Sequence, residues 1–323
     1  MTQALNYTTK AIVQLMDYPC PGAPGARAGM RYIAEKLRQA EVFILGDNGE
    51  LLDRSKARPE VPGMLFKPPF PVVALEYSSA TKEWGSSEYT AAPSTRRIAL
   101  AWEWQDDLPP MCRALAPRID RPGVVIASIP YYDAQRAWMP VSAAGFVPYD
   151  GDYIQPIATS PFRDAMVSEG RITTKQAAQR AFECDSVPLL PEAILGMFAE
   201  HGRDASMDYL RADLMDEANA YIDLCMALAC KNVSAVRHPA SRALNRARIG
   251  SGKPKLKDFH VLEVRGAGGL PGAGSGGGAS PRSHLRRGHI RRLDANRVTW
   301  VNATIVNGHG GFVDKQYSVG SAR

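Results

Sequence analysis

The sequence predicts an α+β protein: a mixed or antiparallel sheet with an N-terminal helix, then a helical middle segment, then a basic C-terminal β-hairpin module. Hydrophobic residues make up 45% of the 323 residues and charged residues 22%, a balance typical of a chain with a buried core. Short apolar runs bounded by turn residues are concentrated in residues 64–160, which indicates strands. Helical spacing of apolar residues dominates residues 161–235.

The first 55 residues are predicted to be largely helical. Arg27–Phe43 places apolar residues at helical spacing, and Gly46–Gly49 is a turn that ends the pattern. The N-terminal residues lack a basic stretch followed by an apolar block, so we expect no secretory signal.

The sheet is predicted from four segments in residues 64–160. These are Phe70–Tyr77, Arg97–Trp104, Val124–Ile129 and Trp138–Val141. Within the second, Ile98, Leu100, Trp102 and Trp104 alternate and therefore share one face of the strand. We expect the tryptophans of this region to belong to the core.

The middle segment is predicted to contain three helices, namely Thr173 or Thr174 to Phe182, Pro191 to about His201, and Ser206–Cys230. Four carboxylates here raise the question of a metal site, and we interpret them as a solvated acidic face because no Glu-x-x-His partner accompanies them. They are Glu200, Asp213, Asp216 and Glu217.

Four regions follow from these patterns. Residues 1–160 form the α+β body, and residues 161–265 form the helical segment, which ends in a basic loop and the strand Phe259–Val264. Residues 266–281 are so rich in glycine that we predict a linker, and residues 282–323 form the basic β-hairpin module.

The positive charge is concentrated near the C-terminal end. Residues 237–297 contain 14 Lys and Arg and three acids, a net charge of +11, whereas the rest of the chain carries 25 basic and 30 acidic residues. Such asymmetry indicates a polyanionic partner, and nucleic acid is the one we predict, DNA or RNA. The alternative is a basic segment that solubilises the chain or packs on the acidic body.

The predicted nucleic-acid contacts are six cations from two stretches of this basic region. They are Lys253, Lys255, Arg286, Arg287, Arg291 and Arg292. Gly252-Lys253 is followed by Pro254, so the phosphate-binding P-loop pattern is absent. We expect no cofactor.

Two histidines lie among these arginines and support a second hypothesis. His284 and His289 are candidate catalytic residues for metal-independent RNA cleavage, because a histidine pair near neutral pKa can act as acid and base. Their spacing of five residues on a strand is an objection, since it places the rings on opposite faces. A binding role, or a metal site with His260 and His309, stays open.

The third hypothesis is a protein-interaction role against a host factor, with the aromatic-rich residues 64–160 as the surface. No apolar stretch approaches the length of a membrane span, so we expect no membrane partner. The five cysteines are predicted to be reduced thiols, which favours a cytoplasmic location.

From Ala243 onward, the chain resembles uncharacterised proteins of phages and proteobacterial prophages. The segments that carry this resemblance are Ala243–Arg246, Gly252–Pro254, His260–Leu262, Pro281–Leu293, Trp300-Val301 and, further upstream, Phe70–Tyr77. The resemblance implies a phage-encoded accessory protein working in the cytoplasm of the bacterial host. It implies no catalytic role for any residue.

Overall fold

A computed structural model describes residues 5–52, 54, 61–79, 93–154, 161–170, 172–178, 180–264, 284–286, 289–294, 297–301 and 304–306. The helices are α1 (Tyr7–Asp17), α2 (Pro24–Gln39), α3 (Pro110–Leu115), α4 (Pro161–Ser168), α5 (Thr174–Ala177), α6 (Pro191–His201), α7 (Arg203–Leu228) and α8 (Arg242–Gly250).

The strands of the body are β1 (Glu41–Ile44), β2 (Val72–Ser78), β3 (Arg96–Glu103), β4 (Gly123–Tyr132), β5 (Ala137–Trp138), β6 (Ala143–Pro148), β7 (Tyr153–Ile154), β8 (Ala181–Phe182), β9 (Asp185–Pro188), β10 (Val233–His238) and β11 (Phe259–Val264). Beyond the Gly-rich segment lie β12 (His284–Arg286), β13 (His289–Asp294), β14 (Arg297–Val301) and β15 (Thr304–Val306).

One large sheet organises the body. Its strands run in the order β10-β11-β1-β2-β3-β4-β6-β9, and β5 pairs with β4 beside this path. Strand β1, the third in this order, is parallel to both of its neighbours, β11 and β2, whereas the remaining pairs are antiparallel. The predicted α+β class with a mixed sheet is therefore confirmed.

Helices cover both faces of this sheet. The face that includes Ile98, Leu100 and Trp102 packs against α1 and α2, as the alternation in the sequence predicted. The opposite face, which includes Ala99 and Ala101, packs against α7. Period-2 alternation along β3 thus divides its side chains between two separate cores.

Tryptophans of the sheet region are core residues. Trp102 and Trp138 are each 1% exposed, and Trp104 packs half-buried at the edge of the same core. Trp84 lies outside the described residues. The hypothesis of a host-factor surface in residues 64–160 stays a prediction, because the same region also exposes apolar side chains such as Met64 and Met111.

Strand β1 corrects the predicted N-terminal helix. The prediction continued the helix from Arg27 to Phe43, but α2 ends at Gln39 and residues 41–44 are a strand. Val42 and Phe43 fit the helical spacing as well as the strand. Parallel pairing with β2 and β11 decides in favour of the strand, because it buries both faces of β1.

The helical middle segment is partly as predicted. Helix α6 spans Pro191–His201, and α7 begins three residues before the predicted Ser206. The helix predicted to reach Phe182 is wrong in its second half, since α5 ends at Ala177 and Ala181-Phe182 pairs with Tyr153-Ile154 as a short ladder. Within the described ranges, no helix has the length and apolar character that a membrane span requires.

The C-terminal strands form two short antiparallel ladders, β12 with β15 and β13 with β14. The structure describes their backbone pairing and not their side chains. The Gly-rich linker at residues 266–281 lies outside the described residues. The basic C-terminal module therefore stays a prediction.

Candidate nucleic-acid interface

A basic arm projects between two strands at the edge of the large sheet. Strands β10 and β11 pair antiparallel, and residues 239–257, which we call the basic arm, connect them through α8 and a loop. The basic arm contains six Lys and Arg and no acidic residue. Helix α8 buries none of its residues, and Leu244 and Ile249 are about half exposed. The basic arm is therefore presented to solvent.

Local sequence explains why α8 begins and ends where it does. The Ser241 hydroxyl caps the N-terminus by accepting a hydrogen bond from the Leu244 amide at 3.3 Å. At the C-terminus Gly252 adopts a positive φ of 69°, and the Lys253 amide donates to the Arg248 carbonyl at 2.8 Å. This pattern is a Schellman motif, for which glycine is the favoured residue.

Side-chain hydrogen bonds hold the loop of the basic arm against α8. Asn245 exchanges two hydrogen bonds with the backbone of Leu256, at 2.7 and 3.1 Å. The Arg248 Nε donates to the Pro254 carbonyl at 2.8 Å. Because these bonds fix residues 254–256 relative to the helix, the cations of the loop have defined positions.

Asp258 anchors the end of the basic arm. Its carboxylate accepts hydrogen bonds from the Ala240 amide at 2.9 Å and from the Arg237 guanidinium at 2.7 Å. The hydrogen bond from the Ala240 amide, with Arg237 as a further cause, lowers the pKa of Asp258. The carboxylate of Asp258, which follows the last residue of the arm, is thus bonded to Ala240 at the start of the arm.

A groove separates α1 from the loop of the basic arm, and we call it the basic groove. It consists of two adjoining cavities of about 540 and 320 Å³, which share Thr9, Val13 and Pro254. The larger cavity is lined by three cations, Arg38, Lys255 and Lys257. The smaller is lined by Lys10, Arg96 and Arg248. Asp17 is the one acidic residue that the structure places along either cavity.

The cations of the basic groove differ in how they are held. The Lys257 Nζ donates to the carbonyls of Arg38 and Ala40 at 2.8 and 2.6 Å, so it caps the C-terminus of α2. Burial lowers the pKa of Lys257. Because its ammonium group is held by these two carbonyls, Lys257 has a positioning role. The Arg96 guanidinium is held differently, since it lies 4.7 Å from the ring centre of Tyr131, within cation–π range.

Lys10 and Lys255 are exposed, and no described carboxylate lies within ion-pairing distance of either. The same holds for Arg242, Arg246 and Lys253 on the basic arm. The positive charge of a cation without a carboxylate partner is not neutralised within the protein, so it attracts an external anion more strongly. These five residues are consequently the ones best placed to meet phosphates.

The predicted site residues fall into two groups. Lys255 lines the basic groove and Lys253 follows the glycine that ends α8. Arg286, Arg291 and Arg292 lie in β12 and β13, where the structure describes the backbone alone, and Arg287 lies outside the described residues. Five groove cations were not among the predicted contacts. Arg248 and Lys257 belong to the basic arm, whereas Lys10, Arg38 and Arg96 come from α1, α2 and β3 respectively.

The two candidate catalytic histidines lie on different ladders. His284 is opposite Val306 in the pairing of β12 with β15, and His289 is opposite Val301 in the pairing of β13 with β14. His260, offered above as a metal ligand, is buried and stacks on Phe43 with ring centres 5.0 Å apart. His309 lies outside the described residues. The roles of His284 and His289 stay predictions.

The acidic face predicted on α7 is wrong for Glu217. Its carboxylate is fully buried and lies 3.1 Å from the Arg97 guanidinium of β3, while Asp216 is exposed and 3.5 Å from the same group. The helix faces the sheet at Glu217, where burial raises the pKa of the carboxyl and the paired Arg97 guanidinium offsets part of that effect. Among the described residues, no group of His, Cys, Asp or Glu is arranged to hold a metal ion.

No protein-family model, curated protein or solved structure matches this chain.

Proposed function

We propose that this protein binds nucleic acid, with the basic arm and the basic groove as the contact surface on its body. The observation that carries the proposal is that cations from separate elements of the fold line one groove. Lys10, Arg38 and Arg96 come from three separate elements of the N-terminal body, and the fold places them along one groove with the cations of residues 248–257.

Phosphate is the ligand that this arrangement suits. When Lys and Arg neutralise phosphates, the condensed counterions of a polyanion are released into solution, and this release favours binding. Several cations along the basic groove provide several such contacts. The loop of the basic arm is also ordered before binding, because Asn245 and Arg248 hydrogen-bond to its backbone. This order reduces the conformational entropy that the loop loses when it binds a phosphate.

The basic C-terminal segment extends the proposal. Arg286, Arg287, Arg291 and Arg292 add charge of the same sign, and we propose that they contact the same polyanion. The resemblance to phage and prophage proteins supports an accessory role in the bacterial cytoplasm. Nucleolytic activity by His284 and His289 is a separate prediction, which the binding proposal does not require.

The test is binding of the full chain to fluorescent DNA and RNA across a salt series. The informative variant reverses three exposed charges of the basic arm: Arg246→Glu, Lys253→Glu and Lys255→Glu. The matched control reverses three exposed charges elsewhere: Arg118→Glu, Lys175→Glu and Lys231→Glu. Both variants change the net charge equally.

We expect the arm variant to lose at least about tenfold in affinity, because each charge reversal removes a contact with phosphate. The affinity of this variant should also depend less steeply on salt concentration. The control is expected to lose much less. Equal losses in the two variants would mean that only total charge matters and would overturn the interface. A third variant, with Arg286, Arg291 and Arg292 changed to Gln, measures the share of the C-terminal segment.

A further inference from the structure

The basic groove combines its cations with an apolar floor. Ile12, Val13 and Met16 of α1 line the larger cavity at the spacing of one helical face. Val13 lines both cavities and is 43% exposed, so its side chain is accessible from the groove. From the opposite side Pro254 and Leu256 contribute further apolar surface.

We propose that the basic groove binds single-stranded nucleic acid in preference to a duplex, with bases against the apolar floor and phosphates along the cations. This inference rests on the proposed function and names its substrate class. A single strand exposes both apolar base faces and phosphates, so it complements both parts of the groove. A duplex stacks its bases inside and offers the floor no apolar surface.

The positions of the cations agree with a strand that runs along the groove. Arg38 and Lys255 line one cavity, Lys10 and Arg96 line the other, and Val13 lies between the two sets because it borders both. Phosphates at both ends would thus flank bases at the centre. Arg96 on the Tyr131 ring adds a planar cation of the kind that stacks on bases.

The competing occupant of an apolar groove with a cationic rim is an acidic amphipathic protein helix. Two observations favour the single strand. The cations continue beyond the groove onto α8, where Arg242 and Arg246 are exposed, and this extends the positive track past the apolar floor. The floor is short, three residues within five positions of α1, which suits one or two bases better than the several anchors of a helix.

The experiment compares three probes of equal phosphate number at one salt concentration. They are a 12-nucleotide oligothymidine, an abasic oligomer of the same length, and a hairpin duplex. We expect oligothymidine to bind the full chain at least about fivefold more tightly than the abasic oligomer, because contacts to bases add to those with phosphates. Single-stranded RNA of the same length tests whether the sugar matters.

The variant Val13→Gln is expected to reduce the preference for oligothymidine over the abasic oligomer to about twofold or less. Leu195→Gln is the matched control, since Leu195 is a half-exposed apolar residue of α6 away from the groove. It should keep the preference of the unmodified chain.

Equal affinity for the three probes would overturn the single-strand inference and leave the proposed binding of phosphates intact. Tighter binding of a polyglutamate of matched charge than of oligothymidine would overturn it in favour of an acidic protein partner. Absence of binding to any nucleic acid would overturn the proposed function itself.

Discussion

Asn245 in α8 and Leu256 in the following loop exchange two hydrogen bonds, the amide of Leu256 donating at 2.7 Å and the Asn245 Nδ2 donating to the Leu256 carbonyl at 3.1 Å. One side chain thereby replaces the backbone partner that a strand or helix would provide. Because α8 buries no residue, core packing does not hold the basic arm in place, and the Asn245–Leu256 pair fixes its conformation instead. The positions of the loop cations depend on this pair.

Replacing Asn245 by Ala should loosen the basic arm without unfolding the body. Loss of two hydrogen bonds removes about 1–3 kcal/mol from the local stability of the loop. We expect the Leu256 amide to exchange its hydrogen at least about fivefold faster, with no change in the urea midpoint of the whole chain. Arg242→Gln, which leaves the pair intact, is the control. Unchanged exchange at Leu256 would contradict the role of Asn245.

Removing single groove cations should change the salt dependence of nucleic-acid binding by a predictable amount. For a single strand, each lost phosphate contact lowers the slope of log affinity against log salt by about 0.7. We expect this change for Lys255→Gln and for Lys10→Gln, measured by fluorescence anisotropy at four salt concentrations. Lys231→Gln, on an exposed residue outside the groove, should leave the slope as it is. A slope that is equally steep in all three variants would exclude direct contacts by Lys10 and Lys255.

Local patterns in the sequence predicted the elements that local physics determines. Pro191 and Gly202 bracket α6, and the apolar run Phe259–Val264 is a strand with the predicted bounds. Strand β1 was not predictable in this way, because its identity depends on parallel partners more than 25 residues away along the chain. Glu217 was misassigned for a related reason, since its cation Arg97 is contributed by a distant strand.

The residues of the candidate site likewise divide into those that the sequence predicted and those that depend on the tertiary fold. Lys253 and Lys255 stand out in the sequence because they belong to a run of charges of one sign. Lys10, Arg38 and Arg96 belong to three separate elements outside that run, and only the tertiary fold brings them to the basic arm. A charge count finds the first kind of residue and misses the second.

Gly29 should tolerate no side chain, because α2 approaches the chain at Leu189 there. A Cβ on Gly29 would lie 1.8 Å from the Leu189 carbonyl oxygen and 2.9 Å from its carbon, and backbone atoms cannot rotate aside. We expect Gly29→Ala to lower the free energy of unfolding by about 3 kcal/mol, the upper end for overpacking. Urea denaturation measures this.

The control for Gly29 is Gly196, which lies in α6 with no atom within 4 Å of a Cβ. Gly196→Ala should raise the free energy of unfolding by about 0.5–1 kcal/mol, because alanine loses less backbone entropy than glycine on forming a helix. Similar effects in the two variants would show that α2 does not pack as closely as the structure describes.

Glu76 should make the stability of the protein depend on pH. Its carboxylate on β2 is 2% exposed, and one oxygen accepts a hydrogen bond from the Thr8 amide at the start of α1 at 2.7 Å. The second oxygen, Oε2, is buried without a hydrogen-bond partner among the described residues. Burial raises the pKa of Glu76, and the amides of Thr8 and Tyr7 offset part of this effect.

Because the pKa of Glu76 is higher in the folded than in the unfolded state, the folded state binds the proton more tightly. This contribution to stability is fully present below the unfolded pKa, near 4.3, and is lost as pH rises through the folded pKa. Glu76→Gln keeps an acceptor for Thr8 and carries no charge. We therefore expect the free energy of unfolding of Glu76→Gln, relative to the unmodified chain, to increase as pH rises from about 4.5 to 8 in urea titrations. Parallel curves for Glu76→Gln and the unmodified chain would refute the raised pKa of Glu76.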